Sequence, residues 1–224
     1  LSGCASISVE PEKGLVNPSP SRTPKQLLVE AFTFPAETSV RVDRSGIQLA
    51  DFKTNLERNL RTALVKQLEP FGVQVQPAME NEDSSSPERA AWLIRGQFIR
   101  VNQGSRLLRI GIGLGAGGTK METAVQIYDL AAKSKLPLFA FRTTGGSNAE
   151  PGLLLSGGPV TGPVGIAITV SELGVTAVTS GGHGVSEDTR RTARVIASYL
   201  SEKLAALGII PTAKARKAKR LQRQ

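Results

Sequence analysis

The chain has 224 residues with 40% hydrophobic and 21% charged content, which is enough for one sizeable core and ordinary for one globular domain. A single cysteine excludes an internal disulfide, and a single histidine excludes a zinc cluster of Cys/His spacing, so any metal chemistry would rest on carboxylates. The formal net charge of +9 points to an anionic partner or surface, and no fixed-period repeat suggests a solenoid or propeller.

The chain opens Leu1-Ser2-Gly3-Cys4, which reads as the end of a bacterial lipoprotein signal peptide. Small residues precede the cleaved bond, and the Cys4 thiol takes the diacylglycerol before cleavage frees its amine. Residues 1–3 then belong to the discarded leader, and Cys4 is the lipidation site. Several fatty chains on Cys4 bury far more methylenes than one myristoyl group, at about 0.8 kcal/mol each, so attachment is expected to be permanent. Ala5 and Ser6 lack the aspartate of inner-membrane retention, so the expected location is the cell envelope, at the outer membrane facing the periplasm. Residues 4–24 hold four prolines and four serines from position 5 onward and read as a flexible linker.

Residues 25–210 are expected to form a single domain. Residues 26–34 (QLLVEAFTF) are the first strand candidate and 37–45 a polar connection. Residues 46–69 are the first helix, with Leu49, Phe52, Leu56, Leu60, Leu64 and Leu68 at three- and four-residue steps and Pro70 and Gly72 as stops. Residues 73–76 suggest a short strand, and 77–89 a solvated acidic loop.

From residue 91 the apolar period becomes two, in 91–99 and 119–127, which predicts strands with one buried and one wetter face, and 137–143 (PLFAFRT) reads as a further strand. Short connections favour an antiparallel meander. Ser186 is the expected cap of the last helix, with Glu187 and Asp188 in its first turn. Ala193, Ile196, Leu200, Leu204 and Leu207 form its apolar stripe, and Gly208 and Pro211 end it. The expected fold is α+β in two layers, a mostly antiparallel sheet with two amphipathic helices packed on it.

Two glycine-rich stretches are candidate interaction surfaces. In 106–115 (RLLRIGIGLG), Gly111, Gly113 and Gly115 share one strand face, which lets a helix backbone or a ligand approach closely. Gly113, Gly115 and Gly118 match G-x-G-x-x-G, but a strand pattern follows where a phosphate cradle needs a helix N-terminus, so no nucleotide or other cofactor is expected. Residues 152–184 carry one formal charge, Glu172, among small and apolar residues. Pro159, Pro163 and Gly174 interrupt any spanning helix, while Gly158 and Gly162 give one G-x-x-x-G, a weak association signal.

His183 has no second histidine or cysteine to share catalysis or a metal, and no nucleophile turn occurs, so no catalytic residue and no metal site is assigned. The tail 211–224 is expected to be disordered, with Lys214, Arg216, Lys217, Lys219, Arg220 and Arg223 available to anionic headgroups, lipopolysaccharide phosphates or an acidic partner. An exported chain leaves no nucleic acid as an expected partner.

The order of LSGC, strand, amphipathic helix, GSRLLRIGIGLGAGGTKMETAVQIYDLAAKSKLPLFAFRTTGG, glycine-rich gap and SEDTRRTARVIASYLSEKL resembles the bacterial lipoprotein family known as domain of unknown function 4410. The resemblance runs roughly over 25–208, is most specific at 104–146 and does not include the basic tail. It implies an exported α/β lipoprotein domain with no established activity and no catalytic residues to carry over. The expectation is a lipid-anchored, non-catalytic envelope module binding a partner protein or envelope polymer. The alternative is a self-assembling or membrane-contacting component of an envelope or secretion complex, possible as a homo-oligomer.

Overall fold

Leu56, Leu60, Leu64 and Leu68 fall one helical turn apart, and in the computed structural model of the chain they are the buried stripe of helix α1 (Gly46–Leu68). The structure describes residues 6–11, 19–78, 90–104, 119–132, 136–146 and 183–218. Gly46 has φ +53, where the chain turns into α1, and a Cβ would meet nothing there, so the backbone alone asks for glycine. A short 3-10 turn (Glu69–Phe71) and Gly72 at φ +82 end the helix, close to the expected Pro70 and Gly72 stops.

Seven strands make one sheet: β1 (Ser6–Pro11), β2 (Gln26–Val29), β3 (Ser39–Arg41), β4 (Gln74–Pro77), β5 (Ala91–Asn102), β6 (Lys120–Asp129) and β7 (Phe139–Gly146). Their order is β1-β7-β6-β5-β2-β4, with β3 paired to the far part of β5. The β5–β6, β6–β7 and β1–β7 pairings are antiparallel, the β6–β7 pair across a short connection. The β2–β5, β2–β4 and β3–β5 pairings are parallel, so the sheet is mixed. The helical crossover through α1 makes β2 and β4 parallel, because a helix between β3 and β4 returns the chain to the same end of the sheet before β4 begins.

The first strand candidate breaks after Val29, and the backbone follows β5 again only at Thr33, whose N–H bonds Gly96 and whose carbonyl accepts from Phe98. The Phe32 ring occupies the space over Gly96 where a Cβ would stand, so this strand glycine serves close side-chain approach. A register shift between Phe98 and Arg100 then turns β5 toward β3, a part of the expected polar connection.

Helix α2 (His183–Ala206) packs beside α1. It lies over β1, β6 and β7, while α1 lies over β2 and β4. One continuous core fills the space between: Trp92, Ile94, Phe98, Met121, Val125, Ile127 and Phe141 from the sheet, against Leu60, Leu64, Ile196, Leu200 and Leu204. Each fully buried side chain of this size contributes roughly 1.5–3 kcal/mol relative to exposure. The two-layer α+β fold is therefore present, with a mixed sheet.

Several sequence expectations are corrected. Ser6–Pro11, inside the expected linker, is a strand, because Ile7 and Val9 alternate with Ser8 and Glu10 and are buried beside β7. Ser186 is not a cap, since α2 already begins at His183, and Glu187 and Asp188 lie beyond its first turn. Leu207 is 43% exposed and falls outside the buried stripe, as the chain reverses at Gly208 with φ +70. The tail as far as Ala218 is packed on the domain, through contacts described below.

Candidate functional site

Strand register lines up one end of the sheet. Ser6 faces Gly146, Gly146 faces Lys120, Lys120 faces Asn102, and Asn102 faces Arg41. The chain leaves the described fold at Gly104 and returns at Thr119, and it leaves at Gly146 and returns at His183. Both glycine-rich stretches and the chain toward Cys4 therefore depart from one end, where α1 and α2 also begin. The expected sites Cys4, Gly111, Gly113, Gly115, Gly158 and Gly162 lie outside the described residues, as do Lys219, Arg220 and Arg223.

Asp188 ties α2 to this end. It is fully buried, accepts from the Thr119 hydroxyl, and has Arg191 Nη1 at 3.3 Å. Burial pushes its carboxyl above the ordinary value, against the opposing pull of Thr119 and Arg191. Its oxygens are thus occupied by a hydroxyl and a guanidinium.

The sheet face away from the helices is organised in rows. At the Arg41 end, Glu122 binds Lys120 Nζ at 2.9 Å, accepts from Thr144 Oγ1 at 3.1 Å, and has Arg100 Nε at 3.8 Å. Burial alone would raise the Glu122 carboxyl, but Lys120, Arg100 and Thr144 together bring it below the ordinary value. Farther along, Arg95 holds Glu30 through two bonds of 2.6 and 2.9 Å and lies 5.6 Å from the Tyr128 ring. Tyr128 in turn donates to Gln126 at 2.9 Å. Beyond Tyr128 this side of the sheet carries a small buried apolar cluster of Leu28, Ala78, Ala91 and Leu93. The described ion pairs of this face satisfy one another and converge on no single point.

The other end of the sheet receives the basic tail. Arg216 donates its backbone N–H to Ser201 Oγ at 2.9 Å and a guanidinium N–H to Gln67 Oε1 at 3.0 Å. Its guanidinium lies 5.1 Å from the Phe71 ring, and Ala218 N–H bonds Glu202. Helices α1 and α2 both terminate here, so Arg216 and Lys214 sit where two parallel helix dipoles present their negative ends. Lys214 and Lys217 are exposed. The sequence presents Lys214, Arg216 and Lys217 alike as an anionic-surface contact, but Arg216 is docked, on Ser201, Gln67 and Phe71, which are distant from it in sequence. His183 is the first residue of α2.

Among the described residues no cluster of three or more His, Cys, Asp or Glu side chains could hold a metal ion, and no helix is long and apolar enough to cross a membrane. Among the described residues the buried Trp92 indole N–H has no hydrogen-bond partner, and its ring lies in the apolar core in a T-shaped arrangement with Phe139.

No curated protein matches the chain. Among solved structures, a PelC dodecamer from Paraburkholderia phytofirmans is 8% identical, covering 63% of this chain and 80% of that one, with a TM-score of 0.36. A putative neuraminyllactose-binding hemagglutinin homolog from Helicobacter pylori is 10% identical, covering 87% of this chain and 89% of that one, with a TM-score of 0.39. At such scores neither the assembly nor the ligand of those proteins carries over. Residues 28–161, more than half of the chain and including the most specific part of the resemblance, match the family described as Domain of unknown function (DUF4410), and the chain belongs to that family.

Proposed function

We propose that this chain is a lipid-anchored, non-catalytic module of the bacterial cell envelope, held with one end of its sheet against the bilayer and the remainder presented to a partner protein or envelope polymer. The observation that carries the reading is the alignment of Ser6, Gly146, Lys120, Asn102 and Arg41 across the sheet. Cys4 stands two residues before Ser6, a reach of at most about 7 Å, so an acylated Cys4 holds the domain close to the membrane. The apolar, glycine-rich stretches 105–118 and 147–182 attach to the same end, which favours membrane contact over a domain swinging on a long tether. The mutual pairing of the ionisable groups on the open face supports a binding role over catalysis.

The test is the mass and fractionation of the chain extracted from membranes, beside Cys4→Ala, each sized in mild detergent. Acyl mass on the wild type, with Cys4→Ala released to the soluble fraction, supports the anchored module. An unmodified Cys4 with unchanged fractionation refutes it. A defined oligomer in detergent would move the partner role to a second copy of this chain.

A further inference from the structure

The first turn of α1 extends past the packed part of the helix, with Leu49 and Phe52 half-buried after it. Burial along the stripe begins at Leu56, whereas Ile47 at the helix tip is 81% exposed, the most exposed large apolar side chain among the described residues. A lone exposed isoleucine needs no explanation in general, but this one has a position. It lies six residues beyond Arg41, at the opposite edge of the same end row that Ser6 begins. Four strand spacings separate β1 from β3, roughly 19 Å at about 4.8 Å each.

The tip is built to stay in place. Arg44 lies 4.7 Å from the Phe52 ring and donates to Gln103 Oε1 at 3.5 Å, which fixes the segment before Ile47 to both α1 and the end of β5. Arg41 is exposed beside it, as are the acidic Asp43 and Asp51, so the local charge is mixed and the apolar tip is the distinctive feature. A single acyl anchor at the β1 edge would leave the domain free to tilt. An apolar contact at the β3 edge would fix the tilt.

We infer that the tip of α1, Ile47 with Arg41 and Arg44 behind it, is a second membrane contact that inserts into the lipid headgroup layer. The inference rests on the anchored reading above for its geometry. The occupant is a bilayer because the chain toward Cys4 leaves from this end of the sheet, and because exposed Arg41 can bind a headgroup phosphate while Ile47 enters the apolar layer. The other exposed large apolar residues, Leu136 at 58% and Leu207 at 43%, flank the opposite end and provide the internal comparison.

Acylation consumes the only native thiol, so Ile47→Cys or Leu207→Cys gives the acylated chain one free thiol for an environment-sensitive dye. On vesicles of phosphatidylethanolamine and phosphatidylglycerol, the dye at position 47 is expected to shift to the blue and to be quenched by shallow lipid nitroxides. At position 207 it should remain water-like. A water-like dye at 47 on vesicle-bound protein, or insertion at 207 instead, overturns the inference. The same dyes on the full chain carrying Cys4→Ser separate this from the anchor. Insertion at 47 without acylation keeps the contact even if the anchored reading falls, and Ile47→Asp should then weaken vesicle binding about tenfold. Absence of insertion or binding there, in a chain shown to lack acyl mass, also overturns it. Because Ile47 is exposed, an unchanged melting temperature checks that these variants fold.

Discussion

The Arg216 guanidinium lies 5.1 Å from the ring of Phe71, so a residue of the basic tail closes the end of the core where α1 stops. Arg216→Ala removes this stacking and the bond to Gln67, and should lower stability by about 1–2 kcal/mol. Lys217→Ala, at an exposed position, should change it by less than about 0.5 kcal/mol. Urea unfolding of both variants checks the contrast, and equal effects would mean that the tail acts only through its charge.

Two carboxylates should give stability slopes of opposite sign against pH. Glu122 is held below its ordinary value, so its contribution is present above the unfolded value and is lost as pH falls through the folded one. Asp188 is held above its ordinary value, so the folded state binds its proton more tightly and stability falls as pH rises between the two values. Glu122→Gln should flatten the acid-side loss. Asp188→Asn, which keeps a partner for Thr119, should steepen the acid-side loss, since a term favouring the folded state at low pH is gone. Unfolding free energies measured from about pH 3 to 7 decide both.

Gly96→Ala places a methyl group where the Phe32 ring stands and should cost about 1–3 kcal/mol through overpacking. Phe32→Leu alone should also destabilise. The double variant should cost less than the two singles added together, and strict additivity would contradict the contact.

The Arg95–Glu30 pair has two good bonds, yet both side chains are partly solvated, at 49% and 30% exposure. A double-mutant cycle should return no more than about 1 kcal/mol, and less in high salt. A larger coupling would mean that the pair is shielded by another part of the chain.

The sequence made α1 legible because its stripe of leucines is a local pattern, and β5 and β6 legible because alternation is equally local, while β7 showed as a short apolar run. Pairing is not local, so nothing near Gln26 announced that β2 would run parallel to both β4 and β5. The strand β1 did carry a signal, Ile7 and Val9 against Ser8 and Glu10, but it is short and precedes a proline-rich run that resembles a tether. The end row that organises the proposed function could not be read at all before register was known, since its members are spread from Ser6 to Gly146. Asp188 was noticed as a helix-dipole residue, whereas its role in joining α2 to Thr119 needs the fold.

The proposed anchoring fixes the orientation of the domain on the membrane. Strand β5 has 12 residues and runs between the two ends of the sheet, a length of roughly 40 Å. A dye at Lys217→Cys, at the end carrying the docked tail, reports that length as energy transfer to acceptors at the surface of vesicles bearing the acylated chain. With the Ser6–Arg41 end on the bilayer, the distance of closest approach is expected to be about 30–40 Å. A distance below about 15 Å would put the tail end on the membrane and rule out this orientation.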